Sequence, residues 1–312
     1  GVKTIVWTDM LQTTGMLFGL VVCVYYILNT MDFSMGSALA AMDEKGYTNI
    51  FVTDPSSKAF FLKQILAGAF ITITMTGMDQ EMMQKNISVR TLGDSQKNMV
   101  VFSIILLVVN LLFLFLGGLL YLYAGTQGIE ATGDRLFPLV ALDYLPPIVS
   151  VIFIIALISA LFPSADGAIT ALTSSFCIDI LGMQRRPDWS DQQKKKIRQR
   201  VHLSFAFIFL LFVMIFYKVN NPSMIGVILK VAGYTYGPLL GLFAFGILTK
   251  RQVNDRLVPL VAVISPIVCF VIDRYQAQLL GGFEIGLELL IINGLITFAG
   301  LMAISYLPKK TA

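Results

Sequence analysis

Long apolar runs separated by short polar stretches dominate this chain of 312 residues. Crossing the ~30 Å hydrocarbon core of a bilayer takes a helix of about 20 residues, and most of the runs reach that length. None of them alternates apolar and polar positions with period two, so the strands of a β-barrel are not expected. The pattern predicts eight transmembrane helices, over residues 8–30, 61–83, 99–124, 147–178, 201–217, 222–248, 257–273 and 284–307.

The Lys and Arg residues between these runs concentrate in alternate segments, and residues 185–200 hold the largest group. Cytoplasmic loops of membrane proteins carry this excess of positive charge. We therefore expect a multi-pass protein of the plasma (inner) membrane with both ends of this chain in the cytoplasm and a basic cytoplasmic loop at 179–200. The positive-inside rule alone accounts for that loop, although anionic lipid head groups are a partner that it could contact.

Composition narrows the functional classes. Apolar residues make up 56% of the chain and charged residues 13%, the net charge is +4, and the mean hydropathy is +0.76. Soluble domains contain about a quarter charged residues, so a soluble enzyme, a disordered chain and a nucleic-acid binder are excluded. Three cysteines without a CxxC pair and a single histidine argue against a disulfide framework, a zinc site and a His-based catalytic set. No nucleophile–base pair indicates an enzyme.

Polar residues within the fourth apolar run predict an ion site. Pro163 has no N–H, so the carbonyl of Ser159 loses its helical partner near the middle of the bilayer. Ser164 and Asp166 follow directly, and Thr170 and Thr173 continue at helical spacing. Hard oxygen donors with a carboxylate suit Na⁺ or a proton relay. Packing between helices is the alternative explanation for the hydroxyl groups, since small residues are common at such contacts.

Two further runs carry polar residues at depth. Gly68 and Gly77 bracket a threonine-rich part of the second run, and such glycines mark broken helices that expose backbone groups to a substrate. Close helix packing would explain the same glycines. Asp79, just after them, is expected near the cytoplasmic mouth. Lys230 lies within the sixth run, where its long side chain is expected to reach the membrane surface.

Three segments together resemble the sodium:solute symporter family. They are IVWTDMLQ at 5–12, TGMDQEMMQKNISVRTLGDSQK at 76–97 and ALFPSADGAITALTSSFCIDILG at 160–182, and the similarity continues to GPLLGLFAFGILTKRQVN at 237–254. The resemblance implies an all-α LeuT-like fold of two inverted five-helix repeats. The eight runs then correspond to core helices five to ten followed by two C-terminal helices. Residues 1–312 would form one transporter domain that is truncated at its N-terminus, and such a truncated chain is not expected to transport by itself.

The resemblance also implies the ion sites. In the family, core helix eight contributes a backbone carbonyl and two hydroxyls to the general Na⁺ site, and the corresponding residues here are Ala160, Pro163 and Ser164. Pro163 has no hydroxyl, so the freed Ser159 carbonyl is the candidate replacement. Some members bind a second cation through the aspartate that matches Asp9. Asp166 stands where a serine is common, so a second cation or a proton is expected there.

The substrate is less defined. In the sugar-transporting branch a tyrosine of broken core helix six covers the substrate, and the matching residue here is Met75, with Thr72, Thr74 and Thr76 around it. A sugar is therefore not favoured. We expect sodium-coupled symport of a small polar or anionic organic solute by alternating access, for which a monomer suffices. The alternatives are a sensor or receptor that keeps the fold without transport and a channel, although a filter motif is not seen.

Overall fold

The computed structural model describes residues 2–79, 83, 89–219 and 223–306. Within these ranges, the side chains of residues 2–6, 8, 9, 163 and 219 are not described. The helices are α1 Val2–Thr30, α2 Met35–Glu44, α3 Phe61–Met75, α4 Leu92–Gln127, α5 Leu136–Leu139, α6 Pro147–Ser175, α7 Asp191–Val219, α8 Met224–Leu248, α9 Val258–Leu279 and α10 Leu289–Ala303. Two short strands, β1 Gln252–Val253 and β2 Ser305–Tyr306, pair antiparallel. Single π-helical turns extend α5 over Val140–Tyr144 and α6 over Phe176–Ile180.

Each of the eight predicted runs contains a helix. Six helices of the described chain are long and apolar enough to cross a membrane, namely Met10–Thr30, Leu92–Gln127, Pro147–Ile180, Asp191–Lys218, Met224–Leu248 and Val258–Leu279. The other two, α3 and α10, have 15 residues each. At 1.5 Å per residue they are about 22 Å long, which is less than the hydrocarbon core. The helix of the eighth run is therefore shorter than the predicted span of residues 284–307, while the second predicted span, residues 61–83, includes residues 80–82, which lie outside the described residues.

Glycines lie next to the ends of α3 and α9. α3 ends at Met75, and a Cβ on Gly77 would lie 2.6 Å from the carbonyl oxygen of Ile73, so a larger residue does not fit there. Gly281 and Gly282, with φ of 59° and 94°, follow the end of α9 at Leu279, where a positive φ favours glycine over other residues. The helix break that the glycines of the second run predict therefore lies next to Gly77, whereas Gly68 lies inside α3 with open space around it.

The basic segment 179–200 is not a loop throughout, which corrects the prediction. α7 begins at Asp191, so the last ten residues of that segment are helical. A capping box starts the helix: the N–H of Ser190 donates to Oε1 of Gln193 at 2.9 Å, and the N–H of Gln193 donates to Oγ of Ser190 at 3.3 Å. Lys, Gln and Arg are good helix formers, so the charged residues extend the apolar helix that follows them.

Helix α2 was not predicted, although its start has a sequence signature. Ser34 and Ser37 form a reciprocal cap, in which Oγ of Ser34 accepts from the N–H of Ser37 at 3.1 Å and Oγ of Ser37 accepts from the N–H of Ser34 at 2.8 Å. Met42 of this helix is buried against α4, where a Cβ on Gly118 would lie 2.7 Å from its sulfur. The helix has 10 residues and is too short for a membrane span, so the pattern of long apolar runs does not predict it.

The chain divides into two compact units. Unit 1 consists of Gly1–Thr48 with Gln84–Pro222, and unit 2 consists of Asn49–Met83 with Ser223–Ala312. Each unit therefore combines two separate stretches of the chain. This division does not test the prediction that residues 1–312 form a single transporter domain, which stays a prediction.

Unit 1 is organised by the close packing of α1 on α6. A Cβ on Gly19 would lie 2.4 Å from Cβ of Ala156, and a Cβ on Gly15 would lie 3.3 Å from Oγ of Ser159. Glycines four residues apart let two membrane helices approach to backbone distance. This contact fixes the middle of α6 against α1.

Unit 2 is organised by α8 and α10. Gly237 and Gly241 of α8 leave room for Asn293 and Thr297, since a Cβ at either glycine would lie within 2.4 and 2.5 Å of them, respectively. Asn293 is fully buried, and its Nδ2 donates to the carbonyl of Gly233 at 3.1 Å and to the carbonyl of Tyr234 at 2.9 Å.

Pro238 explains the hydrogen bond from Asn293 to the carbonyl of Tyr234. It lies inside α8 and has no N–H, so the carbonyl of Tyr234, four residues earlier, has no donor in its own helix. An unsatisfied carbonyl is costly in a membrane, where water does not replace the missing donor. The side chain of Asn293 supplies it from the neighbouring helix.

Candidate functional site

The predicted Na⁺-site residues share one segment of α6 in unit 1. Ser159 and Ala160 are half-buried, whereas Ser164 and Asp166 are exposed. The helix is continuous through position 163, but the side chain of Pro163 lies outside those described. The segment is held in place by α1, because Gly15 lies against Ser159.

The carbonyl of Ser159 is the backbone oxygen that Pro163 releases. No described side chain donates a hydrogen bond to it, in contrast to the carbonyl of Tyr234, which Pro238 releases and Asn293 binds. Ser164 and Asp166 add a hydroxyl and a carboxylate within two helical turns, and among the described residues neither of them has a hydrogen-bonding or ionic partner. The segment thus carries oxygen atoms that are not used for packing within unit 1.

The further hydroxyl of the predicted stripe has a different role. Thr173 is buried, and its Oγ1 donates to the carbonyl of Ile169 at 2.6 Å and lies 3.3 Å from Nδ1 of His202 in α7. Packing between α6 and α7, the alternative explanation given for these hydroxyls, therefore applies to Thr173. It does not apply to Thr170, which is exposed.

Asp9 lies on α1, but its side chain is outside those described. The packing of α1 on α6 still gives the position of Asp9 along α1 relative to α6. Gly15 lies against Ser159 and Gly19 against Ala156, so the two helices are antiparallel. Six residues separate Asp9 from Gly15, which is about 9 Å along a helix.

Ala160 also lines an apolar cavity of about 430 Å³ in unit 1. Its walls include Met16, Leu20, Phe113 and Phe153, from α1, α4 and α6. A cavity with such walls excludes a polar solute. It is therefore not a candidate for the substrate site.

The substrate candidates lie in unit 2, around the end of α3. Thr74 is fully buried, and its Oγ1 donates to the carbonyls of Phe70 and Ile71, both at 3.0 Å. Thr72 is exposed and donates to the carbonyl of Gly68 at 2.9 Å. Both hydroxyls thus donate hydrogen bonds to carbonyl groups of their own helix. Met75, the last residue of α3, and Thr76, which follows it, are half-buried at the helix break.

Unit 2 contains an ionic cluster that the sequence pattern did not predict. Nζ of Lys230 in α8 lies 2.7 Å from Oδ2 of Asp273 in α9, and the hydroxyl of Tyr234 donates to the same oxygen at 2.7 Å. Lys230 was expected to reach the membrane surface. Its side chain is partly exposed but ends in this pair, while Asp273 is almost entirely buried. The sequence does place Asp273 at the end of one apolar run and Lys230 inside another, and this pattern could have indicated an ion pair.

A second cluster joins α3 to the segment before α10 in unit 2. Nζ of Lys63 donates to the carbonyls of Ser57 at 3.2 Å and Glu284 at 3.0 Å, and lies 3.4 Å from the centre of the Phe283 ring. A carboxylate oxygen of Glu288 lies 3.8 Å away. This lysine connects α3 with the segment before α10, so it has a structural role.

Comparison with known proteins agrees with the resemblance. The sequence matches the model of the sodium:solute symporter family over residues 1–256. It is 22% identical to the sodium/sialic acid symporter SiaT of Proteus mirabilis (strain HI4320), over 95% of this chain and 61% of the relative. It is 23% identical to a putative sodium-dependent multivitamin transporter of Drosophila melanogaster, over 82% of this chain and 44% of the relative.

Another relative is the sodium-coupled monocarboxylate transporter 1 of Mus musculus, which is 25% identical over 80% of this chain and 41% of its own length. The chain thus spans about three-fifths or less of the curated relatives that it matches.

A solved structure extends the comparison to the fold. It is the substrate-bound outward-open state of a Na⁺-coupled sialic acid symporter, and it matches with a TM-score of 0.74 and 17% identity, over 97% of this chain and 62% of the other. The expected all-α, LeuT-like fold is confirmed. With six candidate spans in the described residues, the chain is part of a multi-pass membrane protein.

Proposed function

The chain belongs to the sodium:solute symporter family, and we propose that the protein carrying it moves a small polar or anionic organic solute across the membrane together with Na⁺. Family membership and the names of the relatives support sodium-coupled symport. The observation that carries the proposal within this chain is the group of free oxygens on α6 around Pro163.

In this proposal the general Na⁺ site uses Ala160, Ser164 and the freed carbonyl of Ser159. Na⁺ prefers several hard oxygen ligands, and a backbone carbonyl replaces the hydroxyl that Pro163 does not have. The close contact of Gly15 with Ser159 keeps this segment rigid, which reduces the cost of organising the ligands.

A second cation or a proton binds between Asp9 and Asp166. Continuing the antiparallel register of α1 and α6 by the six residues that separate Asp9 from Gly15 brings Asp9 to the level of Ser164 and Asp166. Two carboxylates at one level in a membrane repel each other unless a cation or proton lies between them. This arrangement supports ion coupling at Asp166 in addition to the general site.

The solute binds at the break that follows α3, next to Met75 and Thr76. Interrupted membrane helices present backbone groups to substrates in transporters of inverted-repeat fold. The names of two relatives include sialic acid and monocarboxylate, both organic acids, which favours an anionic solute. Na⁺ that enters with an anion offsets its charge. Binding of Na⁺ stabilises one conformation of the transporter, and solute binding then completes alternating access.

The test is uptake into proteoliposomes by the full-length protein that carries this chain. Labelled sialic acid and a short monocarboxylate are supplied with a Na⁺ gradient, with an equal K⁺ gradient, or with neither. We expect uptake of at least one solute only with Na⁺. Ser164→Ala should raise the Na⁺ concentration for half-maximal uptake about tenfold, because one ligand is lost.

Ser103→Ala is the matched control, since that hydroxyl is exposed on α4 and donates only to Met99 of its own helix at 2.9 Å. Uptake that is equal with Na⁺ and K⁺ would refute the proposal. Na⁺-driven uptake with equal Na⁺ dependence in both variants would retain symport but refute the assigned ligand.

The proposed orientation keeps both ends of this chain in the cytoplasm of the plasma (inner) membrane, where the positive charge of the 179–200 segment belongs. A cysteine that replaces Gln192 should then react with an impermeant thiol reagent only after the membrane is opened. The sensor alternative has no supporting observation in the described residues or the relatives and is not proposed.

A further inference from the structure

A largely apolar groove that carries a few polar groups opens between the end of α6 and the start of α7 in unit 1. Its volume is about 780 Å³, within the range of small-molecule sites. The residues around it are Thr170, Thr173, Ser174, Arg198, Gln199, His202 and Leu203. None of these carries a carboxylate, so the groove is cationic. The proposed transport site does not use it.

Arg198 is the positive charge of the groove and has no counter-ion. Among the described residues it makes no ion pair or hydrogen bond, and its side chain is exposed. Asp179, an acidic residue close to the end of α6, instead accepts a hydrogen bond from Oγ of Ser175 at 2.9 Å. A planar guanidinium with free N–H groups binds an oxyanion in a bidentate manner, through two parallel N–H···O hydrogen bonds.

His202 is the polar residue of the groove whose orientation is fixed. Oγ1 of Thr173 already donates its proton to the carbonyl of Ile169 at 2.6 Å, so it accepts from Nδ1 of His202 at 3.3 Å. Nε2 is then the acceptor of the uncharged ring, so an anion in the groove is bound by donors other than His202. Ser174 and Gln199 add donors without a partner among the described residues, so the groove presents one charge and several neutral donors to the same space.

The groove lies at the level where α7 changes from charged to apolar. Residues 194–200 are rich in Lys and Arg, and residues 203–217 are almost entirely apolar. In a membrane helix this change marks the boundary between head groups and hydrocarbon. From the groove, an apolar stripe runs along the exposed surface of α7 at helical spacing: Leu203, Phe207, Leu210 and Met214 are 68, 61, 54 and 55% exposed.

We propose that this groove binds the phosphate group of an anionic phospholipid, with Arg198 on the phosphate, Ser174 and Gln199 as further donors, and an acyl chain along the apolar stripe of α7. The charge of the groove selects an anionic head group over a zwitterionic one. The adjoining stripe favours a lipid over free phosphate, because phosphate alone gains nothing from an apolar surface. Basic pockets between helices on the cytoplasmic side of membrane proteins suit such ligands.

The test is a titration of the purified full chain in neutral detergent with dihexanoyl-phosphatidylglycerol, followed by native mass spectrometry. Parallel titrations use dihexanoyl-phosphatidylcholine and inorganic phosphate. Salt is kept near 0.3 M, where interactions between distant exposed charges are screened. We expect phosphatidylglycerol to bind at least tenfold more tightly than either of the other two ligands.

Arg198→Gln should weaken phosphatidylglycerol binding about tenfold, and Arg198→Lys should weaken it less because the charge remains. Arg200→Gln is the matched control. It removes the same charge from the same helix, but two residues further on, about 200° around the axis and away from the groove. The control should change the affinity less than twofold.

Three results would overturn the proposal. Equal losses in Arg198→Gln and Arg200→Gln would indicate diffuse attraction to a basic helix. Equal binding of phosphatidylglycerol and phosphatidylcholine would remove the role of the charge. Binding of inorganic phosphate as tight as that of phosphatidylglycerol would assign the groove to phosphate rather than lipid. An unchanged unfolding temperature of each variant shows that the losses are local.

Discussion

The bond between Asn293 and the carbonyl of Tyr234 tests the packing of unit 2 most directly. Asn293→Ala removes two neutral hydrogen bonds, of 3.1 and 2.9 Å, from a fully buried side chain. Leaving a buried polar group unsatisfied costs about 1–3 kcal/mol. Polar contacts between membrane helices average about 0.6 kcal/mol in mutant cycles, so we expect the bonds themselves to contribute about 1–2 kcal/mol. The cavity left by truncation adds to this loss.

A double-mutant cycle with Pro238→Ala separates the two contributions. Alanine at position 238 restores the N–H that the carbonyl of Tyr234 lacks, so this carbonyl no longer depends on Asn293. The free-energy costs of the lost bond to the Gly233 carbonyl and of the cavity are the same with and without Pro238, so they cancel in the cycle. We therefore expect Asn293→Ala to cost about 1 kcal/mol less when Pro238 is replaced, which is the coupling for one hydrogen bond.

The assay is reversible unfolding in mixed micelles by titration with a denaturing detergent, which gives the free energy of unfolding of each variant. Asn110→Ala is the control, because its Nδ2 donates to the carbonyl of Leu106 at 2.9 Å on an exposed face of α4. It should cost less than about 0.5 kcal/mol. If the losses from Asn293→Ala and Pro238→Ala simply add, the idea that Asn293 replaces the missing N–H is refuted.

Three further predictions concern unit 1 and the proposed coupling. Pro163→Ser should weaken Na⁺-dependent uptake, because the new N–H forms a hydrogen bond with the freed carbonyl of Ser159. Pro266→Ser, the same change in α9, should leave uptake unchanged. An unchanged or improved Na⁺ affinity of the Pro163→Ser variant would argue against the Ser159 carbonyl as a ligand. Asp166→Asn should raise the Na⁺ concentration for half-maximal uptake about tenfold, whereas a purely packing role predicts lower stability with unchanged Na⁺ dependence. Gly19→Ala should lower the free energy of unfolding by about 1–3 kcal/mol, since its Cβ would lie 2.4 Å from a side chain of α6. Gly117→Ala, whose added Cβ meets nothing within 4 Å inside α4, should not lower it in the same titration.

The sequence predicted the helices because each depends mainly on its own composition. A run of apolar residues excludes water from the backbone wherever it lies in the chain, so all eight runs contain a helix. The end of α3 was not predicted because it lies next to a tight contact at Gly77, where a Cβ would lie 2.6 Å from the carbonyl oxygen of Ile73. The beginning of α7 could not be predicted because a run of charged residues occurs both in loops and in helices, since Lys, Arg and Gln are good helix formers.

Contacts between distant residues were the other part that could not be predicted. Lys230 was singled out as a charge at depth, but its partner Asp273 lies 43 residues away on another helix. Asn293 stands in an apolar run, and nothing in its neighbours indicates that it binds a carbonyl of α8. The family motif was informative about α6, since it located the oxygen-bearing segment before its packing was known.

Three prolines inside helices show what distinguishes a potential ion site from a structural kink. Pro238 releases the carbonyl of Tyr234, and Asn293 binds it. Pro266 releases the carbonyl of Ala262, but the residues around it are apolar apart from Ser265, whose hydroxyl is hydrogen-bonded to Thr297 at 2.8 Å.

Pro163 releases the carbonyl of Ser159 close to Ser164 and Asp166, which keep their oxygens free in the described part of unit 1. A single free carbonyl does not bind Na⁺, because the ion needs several oxygens to replace its hydration shell. The same backbone defect can therefore serve packing in α8 and ion binding in α6, and the side chains around it decide which.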